Sequence, residues 1–272
     1  MKTPKIILIS LALAAVASCR TSQDTTAKQP ETPLKNIDLN GKVYAAVFQQ
    51  RAAEYKALCQ QAYNIAARQI DEALKTQHTK PLAIISDIDE TLLDNSPYAV
   101  EMARKGQTYD PATWLEWCEK ASAEPMFGSK AFYQGVASKG ITIFYITNRS
   151  AKDKPGTIAN LRKFGFPFAD DAHVIVREIV SSKESRRQKV AETHEIVLFL
   201  GDNLSDFSAV FDKKNETERD LGVANNAEAF GKKFIVLPNT GYGDWESAIF
   251  DYDYKRTETQ KDSIYLSKVK GF

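Results

Sequence analysis

The chain has 272 residues, 43% hydrophobic and 26% charged, which is ordinary globular composition with ample material for a buried core. Its formal net charge is +1, with no basic excess to hold a phosphodiester backbone, so a nucleic-acid polymer is not the expected partner. Past the N-terminus no run reaches the roughly 18 apolar residues that a membrane-spanning helix needs.

Lys2 and Lys5 precede an apolar run over 6–16, followed by the small residues Ala17 and Ser18. This is the pattern of a secretory signal over 1–18. Val16-Ala17-Ser18-Cys19 also resembles a bacterial lipobox, in which the cysteine is lipidated and becomes the mature N-terminus. Cleavage there removes two lysines and turns the net charge from +1 to −1. Acyl chains on Cys19 would anchor the protein firmly to a membrane, at about 0.8 kcal/mol per buried methylene. Residues 19–39 are polar and read as a flexible tether to a domain over 40–272. The expectation is an exported, membrane-anchored lipoprotein at the outer membrane or cell surface.

Residues 40–76 lack proline, and Leu58, Ala62, Ala66, Ile70 and Leu74 recur at helical spacing. They predict one long amphipathic helix or two shorter ones. Short apolar runs follow over 82–85, 141–146, 174–176, 196–200 and 234–237, with helical patterns over 130–138, 154–164, 183–192 and 224–230 between them. Alternation of this kind predicts an α/β fold with a doubly wound parallel sheet, covered on both faces, over about 80–240. Helical decoration is expected from about 40–78, from an insertion over 98–126 and from the tail over 241–272. Cys59 and Cys118 have no CxxC partner and no histidine cluster, which argues against zinc. Export permits a disulfide between them, and two buried free thiols is the other reading.

In doubly wound sheets ligands bind beyond the carboxyl ends of the strands, and polar clusters stand at those ends here. Asp87 and Asp89 follow the first strand. Residues two apart face one way while the chain is extended, so both carboxylates can line one pocket. One can attack phosphorus, and the other can protonate the leaving oxygen and later deprotonate water. Thr147 and Asn148 follow the second strand with a hydroxyl and amide donors. Lys183 follows the third and can neutralise a phosphate and the Asp87 carboxylate. Asp202 and Asp206 follow the fourth, four residues apart, a spacing that places both on one face of a starting helix. Several carboxylates and a phosphate dianion repel, by about 4 kcal/mol per unit-charge pair at 4 Å and an effective dielectric near 20. A hard cation with oxygen ligands such as Mg²⁺ makes such a cluster able to bind phosphate.

The ordered set Asp87-Ile88-Asp89-Glu90-Thr91, Thr147-Asn148-Arg149, Lys183 and Gly201-Asp202-Asn203-Leu204-Ser205-Asp206 resembles the haloacid dehalogenase (HAD) superfamily of phosphohydrolases. The strings Asp94-Asn95-Ser96-Pro97-Tyr98, Leu237-Pro238-Asn239 and Tyr242-Gly243-Asp244-Trp245-Glu246 narrow the likeness to the class C bacterial acid phosphatases, lipoproteins that often act as 5′-nucleotidases. The likeness covers about residues 40–250. It implies a HAD-like core with a helical cap, and Mg²⁺ held by Asp87, Asp202, Asp206 and the main-chain carbonyl of Asp89. It implies Asp87 as nucleophile, Asp89 as acid/base, and Thr147, Asn148 and Lys183 as phosphate-holding groups. Tyr109, Trp114 and Tyr242 occupy places like those of the family's nucleobase-binding aromatics, although core packing would account for each equally well. The family also suggests homodimers. A phosphotransferase of the same fold and a non-catalytic surface binding protein or adhesin are the alternatives.

Overall fold

Five of the apolar runs pair into one parallel sheet. A computed structural model describes residues 34–272; the expected signal, Cys19 and most of the expected tether lie outside the described residues. In chain order the elements are α1 (Ile37–Arg51), α2 (Ala53–Ala73), β1 (Leu82–Ser86), β2 (Leu93–Asp94), α3 (Ser96–Arg104), α4 (Pro111–Glu119), β3 (Glu124–Pro125), α5 (Ser129–Ser138), β4 (Thr142–Ser150), α6 (Lys154–Phe164), β5 (Val174–Arg177), α7 (Glu184–Thr193), β6 (Glu195–Gly201), α8 (Glu216–Asn225), β7 (Phe234–Val236), α9 (Asp244–Ile249) and α10 (Glu258–Lys268). The order across the sheet is β5-β4-β1-β6-β7 with every pair parallel, and β2 and β3 form a separate antiparallel ribbon. The chain starts at the centre, builds to one edge, then returns to build the other. That reversal at β1 creates the crevice in which such sheets bind ligands.

Side-chain alternation divides the core into two layers. Ile84, Ile143, Tyr145, Leu198, Leu200 and Ile235 point to one face, where α2, α5 and α6 cover them. Ile85, Ile146, Phe199 and Phe234 point to the other, under Val190 of α7 and Phe207. Both faces are apolar, so the strands are continuous runs with no polar alternation.

Helix α2 is therefore a core layer and not the decoration expected of residues 40–78. It buries Tyr55, Cys59, Ala62, Tyr63, Ala66 and Ile70, while Leu58 and Leu74 stay 44% and 43% exposed. Two tyrosines and a cysteine make up much of the stripe, which shifts the buried face away from the leucines. Ala52 adopts extended backbone (φ −77°, ψ 130°) and separates α1 from α2. The tether expected to run to residue 39 ends earlier, because α1 starts at Ile37. Asp262 of α10 accepts the main-chain N–H groups of Asn36 and Ile37, each at 2.9 Å, and so caps this helix from 226 and 225 residues away. The helix expected over 224–230 is also displaced. Asn215 and Glu218 form a capping box that starts α8 early, and the Asn226 side chain donates to the Gly222 carbonyl and closes it, leaving one 3-10 turn over Ala227–Ala229.

The insertion supplies α3 and α4. Asp110 caps α4 by accepting from Ala112 and Thr113, with Pro111 in the first turn. Cys59 and Cys118 are buried and free. Burial pushes their thiols up to about 11 and about 12, which makes both unreactive near neutral pH. Helix α4 sits directly on Gly156 of α6, where a Cβ would lie 2.7 Å from the Cys118 carbonyl carbon. Gly156→Ala should therefore force the two helices apart, costing about 1–3 kcal/mol in urea or thermal unfolding. An unchanged unfolding midpoint would show that α4 is not seated there.

Candidate active site

The site forms where β1 and β6 run out side by side. The Asp87 N–H is the last to join this ladder, donating to the Leu200 carbonyl at 2.9 Å. The chain then turns through Glu90, whose φ of +51° is unusual for a side-chain-bearing residue. Beyond β6, Asn203–Asp206 forms a single 3-10 turn, not the α-helix start that the Asp202/Asp206 spacing suggested. Its Asp206 carboxylate folds back to accept the Asn203 N–H at 3.0 Å. Gly201 is required beneath it, since a Cβ there would come within 2.5 Å of Asp206 Cβ.

Carboxylate oxygens of Asp87, Asp202 and Asp206 lie within 4.8 Å of one another. Asp87 and Asp206 are buried. The Lys183 ammonium ion-pairs with Asp87, and with Asp206 at 2.7 Å. Asp202 accepts from Asn239 Nδ2 at 2.8 Å and from the Thr91 hydroxyl at 3.3 Å. Burial pushes the Asp87 carboxyl up to about 7; Lys183 pulls it down, while Asp206 and Asp89 add to the rise. Asp202 is held well above the usual carboxylate range by burial, then by Asp206 and Asp87. Lys183 stays charged despite burial because these acids outweigh the loss of water. One ammonium cannot balance three carboxylates. An all-oxygen donor set with surplus negative charge fits a hard divalent cation.

Asp89 lies near enough to this cluster for its charge to act on Asp87. Arg149 grips the Asp89 carboxylate through Nη2 at 2.7 Å and Nε at 3.0 Å, and Asn95 Nδ2 donates to it at 2.9 Å. The Thr147 hydroxyl is 3.4 Å away. Arg149 also donates to Thr157 at 3.0 Å and lies under Trp114, 5.3 Å from its ring centroid. Trp117 Nε1 donates to the Asn95 oxygen at 2.8 Å. Two tryptophans of the insertion thus contact the residues that hold the acid, Trp114 through Arg149 and Trp117 through Asn95. Tyr98 meets Trp114 edge-on at 4.9 Å, and Tyr109 completes the aromatic group while staying 59% exposed. The Tyr242 hydroxyl donates to Glu90, whose other oxygen accepts the Asn95 N–H at 2.8 Å. Asn148 is exposed, and its side-chain oxygen accepts from Arg186 at 2.7 Å.

The structure therefore brings Asp87, Asp202, Asp206 and Lys183 into one cluster, with Thr147 and Asp89 alongside and the three aromatics at the rim. Sequence reasoning did not assign roles to Arg149, Asn95, Glu90, Asn239 or Arg186. Each follows a strand end or neighbours an assigned residue, and that position was the available signal. Arg149 and Asp89 are 2% and 17% exposed. Removing one partner of such a pair leaves an uncompensated charge, so Arg149→Met should cost on the order of 3 kcal/mol in chemical unfolding. Arg149→Lys should recover only part of it, because lysine lacks the two-pronged fork. Full recovery by lysine would show that charge alone matters.

Comparison with known proteins agrees with this geometry. Residues 5–245 match the family model of HAD superfamily, subfamily IIIB (acid phosphatase). The class C acid phosphatase from Bacillus anthracis, solved with tungstate bound, superposes with a TM-score of 0.83 at 41% sequence identity, covering 86% of this chain and 98% of that one. Acid phosphatase 1 of Solanum lycopersicum is 31% identical over 131 residues, 45% of this chain and 50% of that protein. A stem 28 kDa glycoprotein of Glycine max is 27% identical over 165 residues, 58% of this chain and 62% of that protein. The chain thus spans about half to three-fifths of the length of these two plant relatives.

Proposed function

The chain belongs to the HAD superfamily, subfamily IIIB, the acid phosphatases, and from that premise we propose that it hydrolyses phosphomonoesters by passing the phosphoryl group through Asp87. The observation that carries this is the meeting of Asp87, Asp202, Asp206 and Lys183 at the sheet's switch point. A buried surplus of negative charge costs stability, and its retention points to chemistry.

In this reading an Asp87 oxygen attacks phosphorus as the bond to the leaving oxygen breaks, and Asp89 gives that oxygen its proton. Water then attacks phosphorus, Asp89 takes the water proton, and the bond to Asp87 breaks to release phosphate. Lys183 offsets charge on Asp87 and the phosphoryl oxygens, and Thr147 and Asn148 donate to those oxygens. Arg149, Asn95 and Thr147 keep Asp89 at the edge of the site between the two steps. Mg²⁺, held by Asp87, Asp202, Asp206 and the Asp89 carbonyl, would supply the positive charge that admits a phosphate dianion. The aromatic group of Tyr98, Tyr109 and Trp114, with Tyr242, suits a flat leaving group, and 5′-nucleotides are the substrate class we propose.

Among the described residues no helix is long and apolar enough to cross a membrane. We attribute membrane attachment to Cys19 on the sequence pattern alone.

Asp87→Asn should abolish phosphate release from p-nitrophenyl phosphate and nucleoside monophosphates while the unfolding midpoint holds; full activity would exclude attack by Asp87. Chelation should stop turnover and added Mg²⁺ restore it, whereas indifference to chelator would remove the metal from the mechanism. Cys19→Ala should move the protein from the membrane fraction to the soluble one, and its staying with the membrane would refute anchoring through this residue.

A further inference from the structure

Arg186 lies in the first turn of α7, three residues after Lys183. Its guanidinium donates through Nη1 to the Thr147 carbonyl at 2.6 Å. Through Nη2 it donates to Asn148 Oδ1 at 2.7 Å and to the Ser181 and Ser182 carbonyls at 3.2 Å each. One planar group thus ties the end of β4 to the loop that delivers Lys183.

The bond to Asn148 carries more information than a tether would. A guanidinium has only donors, so the amide must turn its oxygen toward Arg186 and its Nδ2 hydrogens away. Asn148 is exposed, and no other hydrogen bond to its side chain occurs among the described residues. Without Arg186 the terminal torsion of the amide is broad and nearly two-fold, so either end could face an incoming anion. Only the donating end attracts a phosphate oxygen.

The location also asks for a reason. Lys183, Arg186 and Arg187 crowd the start of α7, where the helix dipole favours acids. Arg187 is used locally, on Glu184 and on the Ser205 and Asp206 carbonyls. Lys183 is used on the carboxylate cluster. Arg186 reaches across to the neighbouring strand end.

We propose that Arg186 is a positioning residue that sets the polarity of the Asn148 amide toward the phosphate and holds the end of β4 against the loop that carries Lys183. This rests on the phosphatase reading for Asn148 and on the hydrogen bonds above for Arg186.

The test compares the Mg²⁺-loaded wild type with R186Q, R186K, N148A and R186Q/N148A. It measures kcat and KM on p-nitrophenyl phosphate, calorimetric binding of inorganic phosphate, and unfolding midpoints. R186Q should weaken phosphate binding and raise KM about tenfold, the effect of losing one hydrogen bond to a charged group, with a smaller fall in kcat. R186K, which keeps the charge and loses the fork, should recover less than half of that on a logarithmic scale. N148A should add no more than about twofold in the R186Q background, because coupled residues are not additive. Two results overturn the proposal: phosphate affinity and KM within twofold of wild type in R186Q, or full multiplication of the two effects in the double variant. If the wild type binds phosphate but hydrolyses no monoester, the hydrolase reading fails, and the calorimetric cycle still decides the role of Arg186.

Discussion

Lys183 is held between two buried aspartates, and much of the surrounding architecture follows from the difficulty of keeping them there. Asp87, Asp202 and Asp206 repel one another at close range, two of them buried and Asp202 half-buried. Each must be fixed by neighbours that cannot relax. Gly201 removes a side chain so that Asp206 can fold back. Asn239, delivered by the chain just beyond β7, reaches Asp202. Buried tyrosines secure the backbone below. Tyr63 donates to the Thr91 carbonyl, Tyr55 to the Pro238 carbonyl at 3.0 Å, and Tyr133 shares a hydrogen bond with Ser86, whose hydroxyl donates to the Asp87 carbonyl at 2.6 Å. Helices α2 and α5 thus act through the core on loops at the sheet's far end.

A second network joins the insertion to Asp89. Trp114 covers Arg149, Arg149 grips Asp89, and Trp117 steers Asn95, which bonds both the acid and Glu90. The surface expected to meet the leaving group and the group expected to protonate it are therefore parts of one packed unit. Gly156 brings α4 down onto α6 closely enough for that unit to form.

What could be read from the sequence followed from what lies close along the chain. Strands buried on both faces are continuous apolar runs, so the five of the main sheet stood out. The acids at their ends could be ordered without knowing any distance. Pairing between segments could not be seen: Arg149 and Asp89 are 60 residues apart, and nothing local says that one takes the other. On α2 the spacing picked out Ala62, Ala66 and Ile70, which are buried, but not Tyr55 and Tyr63, which carry much of the packing while their hydroxyls reach past the core. The separation of α1 from α2 at Ala52 lacks the proline or glycine that marks such breaks. The 3-10 turn at Asp206 depends on a carboxylate folding back onto Asn203, a contact that a spacing of four does not distinguish from a helical turn.

Asp262 caps α1 from near the other end of the chain. Lys261 beside it pairs with Asp38 of α1 at 3.3 Å, and Tyr265 donates to Glu246 at 2.6 Å, which in turn meets Lys42 of α1 at 3.4 Å. Among the described residues the first helix is thus completed by the last. During synthesis α1 lacks the Asp262 cap and the Lys261 ion pair until α10 has emerged. Gln49 and Gln50 of α1 donate to Asp94 at 2.7 Å and to Ser96 at 2.8 Å, so its seat against the start of α3 does not depend on α10. A chain truncated before residue 257 would keep those bonds and lose only what α10 adds, the cap on α1 above all.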